Sequence, residues 1–191
     1  MSLTAKNPVL LLIDIQKGFE NEAHWGGNRN NKDAEVKCAT VLDKWRSLGL
    51  PVFHIMHGSK DPNSPLHPSQ PGFELQDLIQ PTSDEPVIVK DVNSAFIGTN
   101  LEQQLKERGI TTLVIAGLTT NHCISTTTRM AGNLNFKTFL ISDATATFDR
   151  IGLNGEKFDA ELIHQTALAS LNEEFATVIN LKSLIAMMAV N

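Results

Sequence analysis

Six short and almost continuously apolar segments recur along this chain of 191 residues. They read PVLLLIDI, PVFHIM, PVIVK, TTLVIAG, KTFLIS and FATVIN, and they occupy residues 8–15, 51–56, 86–90, 111–117, 137–142 and 175–180. Polar and apolar residues do not alternate in them, which is typical of strands that are covered on both faces. The segments therefore predict a buried, mainly parallel sheet with helices on both of its faces.

Amphipathic helices are predicted between these strands, and the clearest of them spans residues 33–50. Asp33 is a suitable N-cap for this helix and Gly49 a suitable end. Its apolar side chains recur close to the 3.6-residue period, at Val36, Val41, Leu42, Trp45 and Leu48. One face of the helix is therefore expected to pack on the sheet.

Three further segments complete the alternation of strands and helices. Residues 99–110, with Thr99 as cap, and residues 158–174 both have helical periodicity. Residues 181–190 predict a last helix, which either covers the sheet or packs on a neighbouring subunit. The predicted fold class is therefore α/β, a Rossmann-like three-layer sandwich, with residues 1–191 as one domain.

The composition limits the partners and the location of the protein. The 16 basic and 21 acidic residues give a net charge of −5, which argues against binding to nucleic acid or to an anionic membrane surface. No apolar stretch approaches the ~20 residues of a transmembrane helix, and no signal peptide is expected. Cys38 and Cys123 are too few for a disulfide framework. We expect a cytoplasmic protein with a small-molecule partner.

Two long polar segments, residues 18–31 and 57–75, interrupt the alternation of strands and helices. Both are rich in glycine, proline or asparagine, and both follow the carboxyl end of a predicted strand. Segments of this length in a compact α/β domain commonly form lids or walls of a binding site. They are therefore expected to border the functional site.

Three chemically reactive side chains lie at the ends of predicted strands. Asp14 ends the first strand, Lys90 ends the third, and Cys123 follows the fourth at the start of a helix. The carboxyl ends of parallel strands share one edge, so these groups can converge in one crevice. A helix N-terminus favours a thiolate at Cys123, whereas Cys38 lies within an amphipathic helix and is expected to be inert. A purely structural ion pair of Asp14 and Lys90 is the alternative to catalysis.

Three segments around these residues resemble motifs of the isochorismatase-like cysteine hydrolases. They read LLLIDIQKGF, VIVKDVNSAFIGTNLEQQL and LVIAGLTTNHCISTTTRMA, at residues 10–19, 87–105 and 113–131. The resemblance implies a six-stranded parallel sheet flanked by helices, and a catalytic triad of Asp14, Lys90 and Cys123. It also implies a cis peptide between Leu118 and Thr119. The backbone N–H groups of Thr119 and Cys123 would then form an oxyanion hole.

The resemblance and the thiol together predict a hydrolase that cleaves the C–N bond of an amide, ureide or N-carbamoyl compound through a thioester. Asp14 would take the thiol proton and later protonate the leaving amine, while Lys90 would keep Asp14 ionised. Two alternatives stay open: an isochorismatase-type vinyl-ether hydrolase, and a non-catalytic oligomeric scaffold of the same fold. A dehalogenase-type phosphatase is disfavoured, because Gln16 stands where that chemistry needs a second aspartate. The resemblance also implies a homo-oligomer, either a dimer or a tetramer.

Other residues are expected to bind the substrate because they are aromatic, carry an imidazole or belong to the implied cis peptide before the nucleophile. They are Phe19, Trp25, His57, Phe96, Leu118 and His122. His67 is a further candidate for a pocket residue. His164, within the helix predicted at residues 158–174, is expected to be a hydrogen-bonded core histidine.

A metal site is not expected. Nicotinamidases, which belong to the family that the sequence resembles, hold a metal ion with an Asp-x-His pair and a later histidine. The corresponding residues 53–72 offer His54, His57 and His67 but lack that spacing. His54 and His57 are three positions apart in or beside a strand, so their side chains should point to opposite faces. We therefore expect no required metal and no other cofactor.

Overall fold

The computed structural model describes residues 3–189, in which six strands form one sheet. In chain order the strands are β1 Val9–Ile13, β2 Val52–His57, β3 Val87–Lys90, β4 Thr112–Leu118, β5 Lys137–Ala146, β6 Arg150–Ile151, β7 Lys157–Phe158 and β8 Thr177–Ile179. The sheet has the order β3-β2-β1-β4-β5-β8, and every neighbouring pair in it is parallel. Strands β6 and β7 form a separate antiparallel hairpin. The predicted parallel sheet is confirmed.

Helices cover both faces of the sheet. They are α1 Glu22–Trp25, α2 Ala34–Ser47, α3 Leu101–Glu107, α4 Ser125–Asn133, α5 Ala160–Leu171 and α6 Leu181–Ala189. Helices α2 and α6 pack on the face that carries Leu10 and Leu12 of β1, whereas α3, α4 and α5 pack on the face with Leu11 and Ile13. The three-layer sandwich is thereby confirmed, and α6 covers the sheet. Residue 190, which the sequence assigns to this last helix, lies outside the described residues.

The buried face of α2 differs in two positions from the one predicted. Val36 and Leu48 are exposed to 56% and 43%. The buried side chains of this helix are Ala34, Cys38, Val41, Leu42 and Trp45. They follow the spacing i, i+4, i+7, i+8 and i+11, so a residue two positions after Ala34 points away from the sheet. Within residues 3–189, no helix is long and apolar enough to cross a membrane.

The predicted start of α3 is one residue early. Asn100 is the N-cap of this helix, and the Thr99 hydroxyl accepts a hydrogen bond from the backbone N–H of Leu101 at 3.3 Å. Thr99 also donates to the carbonyl oxygen of Ala95 at 2.6 Å. Thr99 therefore stabilises both the turn before the helix and the first N–H group of the helix. A sequence pattern cannot distinguish a threonine in this position from the N-cap residue itself.

A carboxylate joins α2 to the edge of the sheet. Glu85 accepts two hydrogen bonds from Arg46, at 2.8 and 2.7 Å, and its Oε2 lies 2.9 Å from Nε2 of the buried His54. The backbone N–H of Thr82 donates to the same carboxylate at 3.1 Å. Burial raises the pKa of Glu85, but the hydrogen bonds from Arg46 and His54 outweigh it and lower this pKa to about 2.

Glu85→Gln is expected to lower the free energy of unfolding by about 2 kcal/mol near neutral pH. Because the folded-state pKa lies below the ordinary value of 4.5, this stabilisation is complete above that value and is lost as the pH falls towards about 2. Denaturant unfolding of both proteins across this range should show the difference shrinking with acid. Glu102→Gln, which removes an exposed ion pair with Lys106, is the control and should change the stability by at most about 0.5 kcal/mol. An equal loss of stability at every pH would contradict the lowered pKa of Glu85.

Candidate active site

Asp14 is placed by the tight pairing of β1 with β4. It directly follows β1 with a left-handed backbone, φ 52°, which aspartate tolerates better than most residues. Its N–H donates to the carbonyl of Ile55 at 2.8 Å, and its side chain is fully buried. Gly117 of β4 has a φ of +129°, and a Cβ at this position would lie only 2.0 Å from the carbonyl oxygen of Ile13. Only glycine lets β4 pass β1 so closely beside Asp14.

Lys90, the last residue of β3, connects the cluster at this edge of the sheet. Its Nζ donates to Asp14 Oδ2 at 2.7 Å, to Cys123 Sγ at 3.2 Å, and lies 3.2 Å from Nδ1 of His57. An ammonium group has three donors, and each of them therefore has a partner. The side chains of Lys90 and Asp14 have no exposed surface. The structure thus brings together Asp14, Lys90 and Cys123, as the strand ends predict.

Cys123 lies in a π-helical turn, Thr120–Ile124, between β4 and α4. The peptide bond between Leu118 and Thr119 is cis, as the resemblance implies. The Thr119 carbonyl accepts hydrogen bonds from the N–H groups of His122 and Ile124, at 3.1 and 3.2 Å. These bonds fold the turn so that the sulfur of Cys123 faces the side chains of Asp14 and Lys90.

The surroundings set the proton positions in this cluster. Burial and the charge of Asp14 raise the pKa of the Cys123 thiol, against the opposing effect of Lys90. The resting cysteine is therefore a thiol, and the thiolate that a helix N-terminus favours is not the resting form, because burial outweighs that effect. Burial lowers the pKa of Lys90, but the charge of Asp14 and the hydrogen bond to its carboxylate act against this, and the pKa of Lys90 is raised, which favours the ammonium form. Asp14 Oδ1 is buried and has no hydrogen-bond partner. This oxygen is therefore free to accept a proton, and the carboxylate of Asp14 and the sulfur of Cys123 lie within 4.8 Å of each other.

The cluster has the ligand types of a metal site but already contains a cation. The ligating atoms of Asp14, His57 and Cys123 lie within 4.8 Å of one another. Nζ of Lys90 contacts all three at 2.7 to 3.2 Å, so an ammonium group takes the position that a shared metal ion would need. His54 contacts Glu85 and not this cluster. This agrees with the expectation that the side chains of His54 and His57 point to opposite faces of the sheet.

A cavity of about 200 Å³ adjoins the cluster. It is lined by Asp14, Phe19, Trp25, His57, Ser59, Ser64, Leu66, Asn93, Thr119, His122 and Cys123. Both long polar segments contribute to this lining, as predicted. The two segments pack closely at Gly18 and Gly72, because a Cβ at Gly72 would lie 2.7 Å from the Cα of Gly18.

The structure places four of the six expected substrate-binding residues at the cavity: Phe19, Trp25, His57 and His122. Phe96 does not line it, and that prediction is wrong. The Phe96 ring stacks on Phe136 in the core at a centroid distance of 5.9 Å, because it points towards the helices that cover this face.

Leu118 is also not a lining residue. It packs with Phe19 and Phe148 in a small apolar cluster that supports the cavity wall. Among the histidines outside the cavity lining, His67 lies 2.8 Å from the Ser69 hydroxyl in its own loop. His164 is buried and lies 2.8 Å from the Thr120 hydroxyl, which confirms it as a hydrogen-bonded core histidine.

Sequence reasoning missed four lining residues, namely Ser59, Ser64, Leu66 and Asn93. Asn93 follows Lys90 in the mostly polar stretch DVNS, after the carboxyl end of β3. This position is the sequence feature that could have indicated a lining residue. The other three lie in the segment 57–75, which the sequence predicts as a wall of the site without indicating which of its residues contact the cavity.

Gln16 has a structural role at the same edge of the sheet. Its Oε1 accepts from the N–H of His57 at 2.8 Å, while its Nε2 donates to the carbonyls of His57 and Phe73, at 3.1 and 2.8 Å. All of these partners are backbone groups. The amide of Gln16 therefore joins the end of β2 to the second polar segment. An amide N–H is not acidic enough for general acid catalysis, so Gln16 cannot replace the second aspartate of a phosphatase.

Comparisons with known proteins agree with this architecture. The sequence matches the model of the Isochorismatase domain over residues 8–183. It is 49% identical over 176 residues to the isochorismatase family protein YrdC of Bacillus subtilis, covering 92% of this chain and 93% of that protein. A solved structure of an isochorismatase-family hydrolase from Chromobacterium violaceum has 40% identity and a TM-score of 0.93, covering 100% and 98% of the two chains. Nicotinamidase 3 of Arabidopsis thaliana is 28% identical over 189 residues, covering 92% of this chain and 86% of that protein.

These matches extend over nearly the whole sheet and its helices. The fold defines a class of parallel α/β sandwich with a polar cluster at the carboxyl edge of the sheet. The chain belongs to the isochorismatase family and is a hydrolase of that family. The resemblance in the sequence is thereby confirmed.

Proposed function

We propose that the protein is a cysteine hydrolase that cleaves an amide-type C–N bond of a small molecule. The observation that carries this proposal is Lys90, whose ammonium contacts both the carboxylate of Asp14 and the sulfur of Cys123 beside a cavity. A thiol, a base within reach of its proton and a fixed cation are the parts that acyl transfer needs. The relative named as a nicotinamidase supports amide cleavage in this family.

The first half of the reaction forms a thioester. Asp14 Oδ1 takes the proton of Cys123 as the sulfur attacks the substrate carbonyl, and Lys90 stabilises the thiolate as it forms. The carbonyl oxygen becomes negative and accepts hydrogen bonds from the N–H groups of Thr119 and Cys123. When this intermediate collapses, the C–N bond breaks and Asp14 gives its proton to the departing nitrogen. The products are a free amine or ammonia and an acyl group on Cys123.

Water completes the cycle. Asp14, ionised again, takes one proton from a water molecule as its oxygen attacks the thioester carbonyl. The C–S bond breaks in the second collapse, the sulfur regains its proton from Asp14, and the carboxylic acid leaves. Lys90 faces the carboxylate of Asp14 in the resting enzyme and in the thioester, and it faces the thiolate as the thiol loses its proton; both contacts favour its ammonium form.

The two alternative functions have less support. A vinyl-ether hydrolase of the isochorismatase type has no evident use for an attacking sulfur, whereas the cluster is built around Cys123. A non-catalytic scaffold has no need for a cavity at that cluster or for an Asp14 oxygen that is buried without a partner. Cleavage of an amide, a ureide or an N-carbamoyl compound is therefore the preferred proposal.

Product analysis and acid-quenched mass spectrometry test this proposal together. The protein is incubated with a panel of primary amides, ureides, N-carbamoyl amino acids and isochorismate, and both ammonia and pyruvate are measured. We expect ammonia from at least one C–N substrate, and a mass increase on the peptide with Cys123 that equals the acyl group. Pyruvate from isochorismate without any adduct on Cys123 would instead support the vinyl-ether alternative.

The predicted homo-oligomer, a dimer or a tetramer, and the predicted cytoplasmic location stay predictions. Exposed apolar side chains occur on the edge strand β3 and just after it, at Val87, Val89, Val92 and Ile97. Such a group is compatible with self-association at this edge. The expected partner of the monomer remains a small molecule, because its net charge of −5 favours neither nucleic acid nor an anionic membrane.

A further inference from the structure

The contact of His122, the residue before the nucleophile, with Arg150 favours one arrangement of its ring proton. His122 lines the cavity, and its Nδ1 lies 3.4 Å from Nη2 of Arg150, the first residue of β6. A guanidinium group can only donate hydrogen bonds, so Nδ1 of His122 must be the acceptor. The ring proton then resides on Nε2. His122, which lines the cavity, is therefore assigned as a neutral imidazole with its N–H group at Nε2.

His57, the other histidine at the cavity, is in contact with the catalytic cluster. Its Nδ1 lies 3.2 Å from the ammonium of Lys90, and burial and this charge lower its pKa. His57 thus serves the catalytic cluster. His122 is the histidine at the cavity that contacts Arg150 instead of Lys90.

Arg150 carries a positive charge that the described protein does not neutralise. Its Nη1 donates to the carbonyl of Trp25 at 3.0 Å, and its Nε is buried without a partner. Within residues 3–189, no carboxylate forms an ion pair with Arg150, whereas the buried Arg29 is paired with Glu35. A partly buried cation without a counter-ion favours an anion nearby.

These observations favour an anionic ligand at this side of the cavity. Asp14 is the carboxylate among the lining residues, and Lys90 already neutralises it. Arg150 contacts two lining residues, Trp25 through its carbonyl and His122 through its ring. A negatively charged group at His122 would receive an N–H hydrogen bond and the field of Arg150 together.

We infer that His122 binds a carboxylate of the substrate through Nε2–H, and that Arg150 is the positioning residue that fixes this tautomer and supplies the charge. The substrate class is then an amide or ureide that carries a carboxylate, such as an N-carbamoyl amino acid. The inference rests on the proposed function only in taking the cavity as the substrate site.

Nitrogen NMR of the protein with ¹⁵N-labelled histidine tests the tautomer without any turnover. The His122 signals are assigned by their loss in His122→Gln. We expect the Nε2–H tautomer in the unmodified protein at neutral pH. Desolvation and the charge of Arg150 lower the pKa of His122, so Arg150→Met should raise this pKa and allow both tautomers. An Nδ1–H tautomer, or a titration of His122 that Arg150→Met leaves unchanged, would overturn the inference.

Ligand titration tests the preference for a carboxylate. Cys123→Ala, which cannot form the thioester, is titrated with N-carbamoylglycine and with its uncharged amide while the His122 signals are followed. We expect the acid to bind at least about tenfold more tightly than the amide and to shift the Nε2–H signal. Adding Arg150→Met should remove this preference, whereas Arg150→Lys, which keeps the charge, should retain part of it.

The matched control is Arg129→Met, which removes another half-buried arginine. Arg129 stacks over the Phe175 ring at 4.8 Å and contacts no lining residue of the cavity, so the preference should persist. Equal affinities for acid and amide, or no shift of His122 with the acid, would overturn the inference. Because these measurements need no catalysis, they can succeed even if the product analysis fails, and the two proposals are tested separately.

Discussion

Cys123→Ala is expected to reduce kcat by roughly four orders of magnitude or more while the protein stays folded. The substitution removes the only atom that forms the covalent bond to the substrate. Lys90 keeps its hydrogen bonds to Asp14 and His57, so the buried ion pair is retained. Steady-state release of ammonia and thermal unfolding measure the two effects. Turnover close to that of the unmodified protein would rule out the thioester mechanism.

Cys38→Ala is the matched control, because Cys38 is the other cysteine of the chain and is equally small and buried. Its thiol donates to the carbonyl of Ala144 at 3.3 Å on the far face of the sheet, among α2 and α6. Burial raises the pKa of this thiol, which keeps it protonated. We expect full activity and a loss of about 1 kcal/mol in stability. The contrast between the two alanine variants separates a catalytic sulfur from a packing sulfur.

The sheet and the meeting of three residues at its edge could be predicted from the sequence because both depend on backbone geometry. Continuous apolar segments fix which strands are buried on both faces. The carboxyl ends of parallel strands lie at one edge whatever their order, and this places Asp14, Lys90 and Cys123 near one another. The individual contacts of Lys90 do not follow from this rule, because they depend on the left-handed backbone of Asp14 and the turn at Cys123.

The direction of side chains in the loops could not be predicted. Asn93 and Phe96 lie three positions apart after β3, yet Asn93 lines the cavity and Phe96 stacks on Phe136 in the core. An irregular segment has no period that assigns a residue to a face, so the packing partner decides its direction. The contact of His122 with Arg150 could not be predicted for the same reason, because the guanidinium group comes from the hairpin of β6 and β7, a separate part of the chain.

Lys90→Met is expected to lower the free energy of unfolding by about 3–5 kcal/mol, because it leaves the charge of Asp14 buried without a partner. Asp14→Asn should also destabilise the protein, since it leaves the ammonium of Lys90 without its counter-ion. The double variant has no buried charge left at this site. Its cost should therefore be smaller than the sum of the two single costs, and urea denaturation of the four proteins measures this coupling.

The exposed ion pair of Lys60 and Asp91 provides a matched control for this cycle. Its side chains are 77% and 48% exposed, so the corresponding coupling should be at most about 1 kcal/mol. If the costs of Asp14→Asn and Lys90→Met simply add, the two side chains do not stabilise each other as a charge pair. Asp14 could then not act as the base for Cys123 in the way proposed here, even if both single variants were inactive. Strong coupling between the two stability costs, together with loss of activity in both single variants, would instead support a role of the buried charge pair in the reaction.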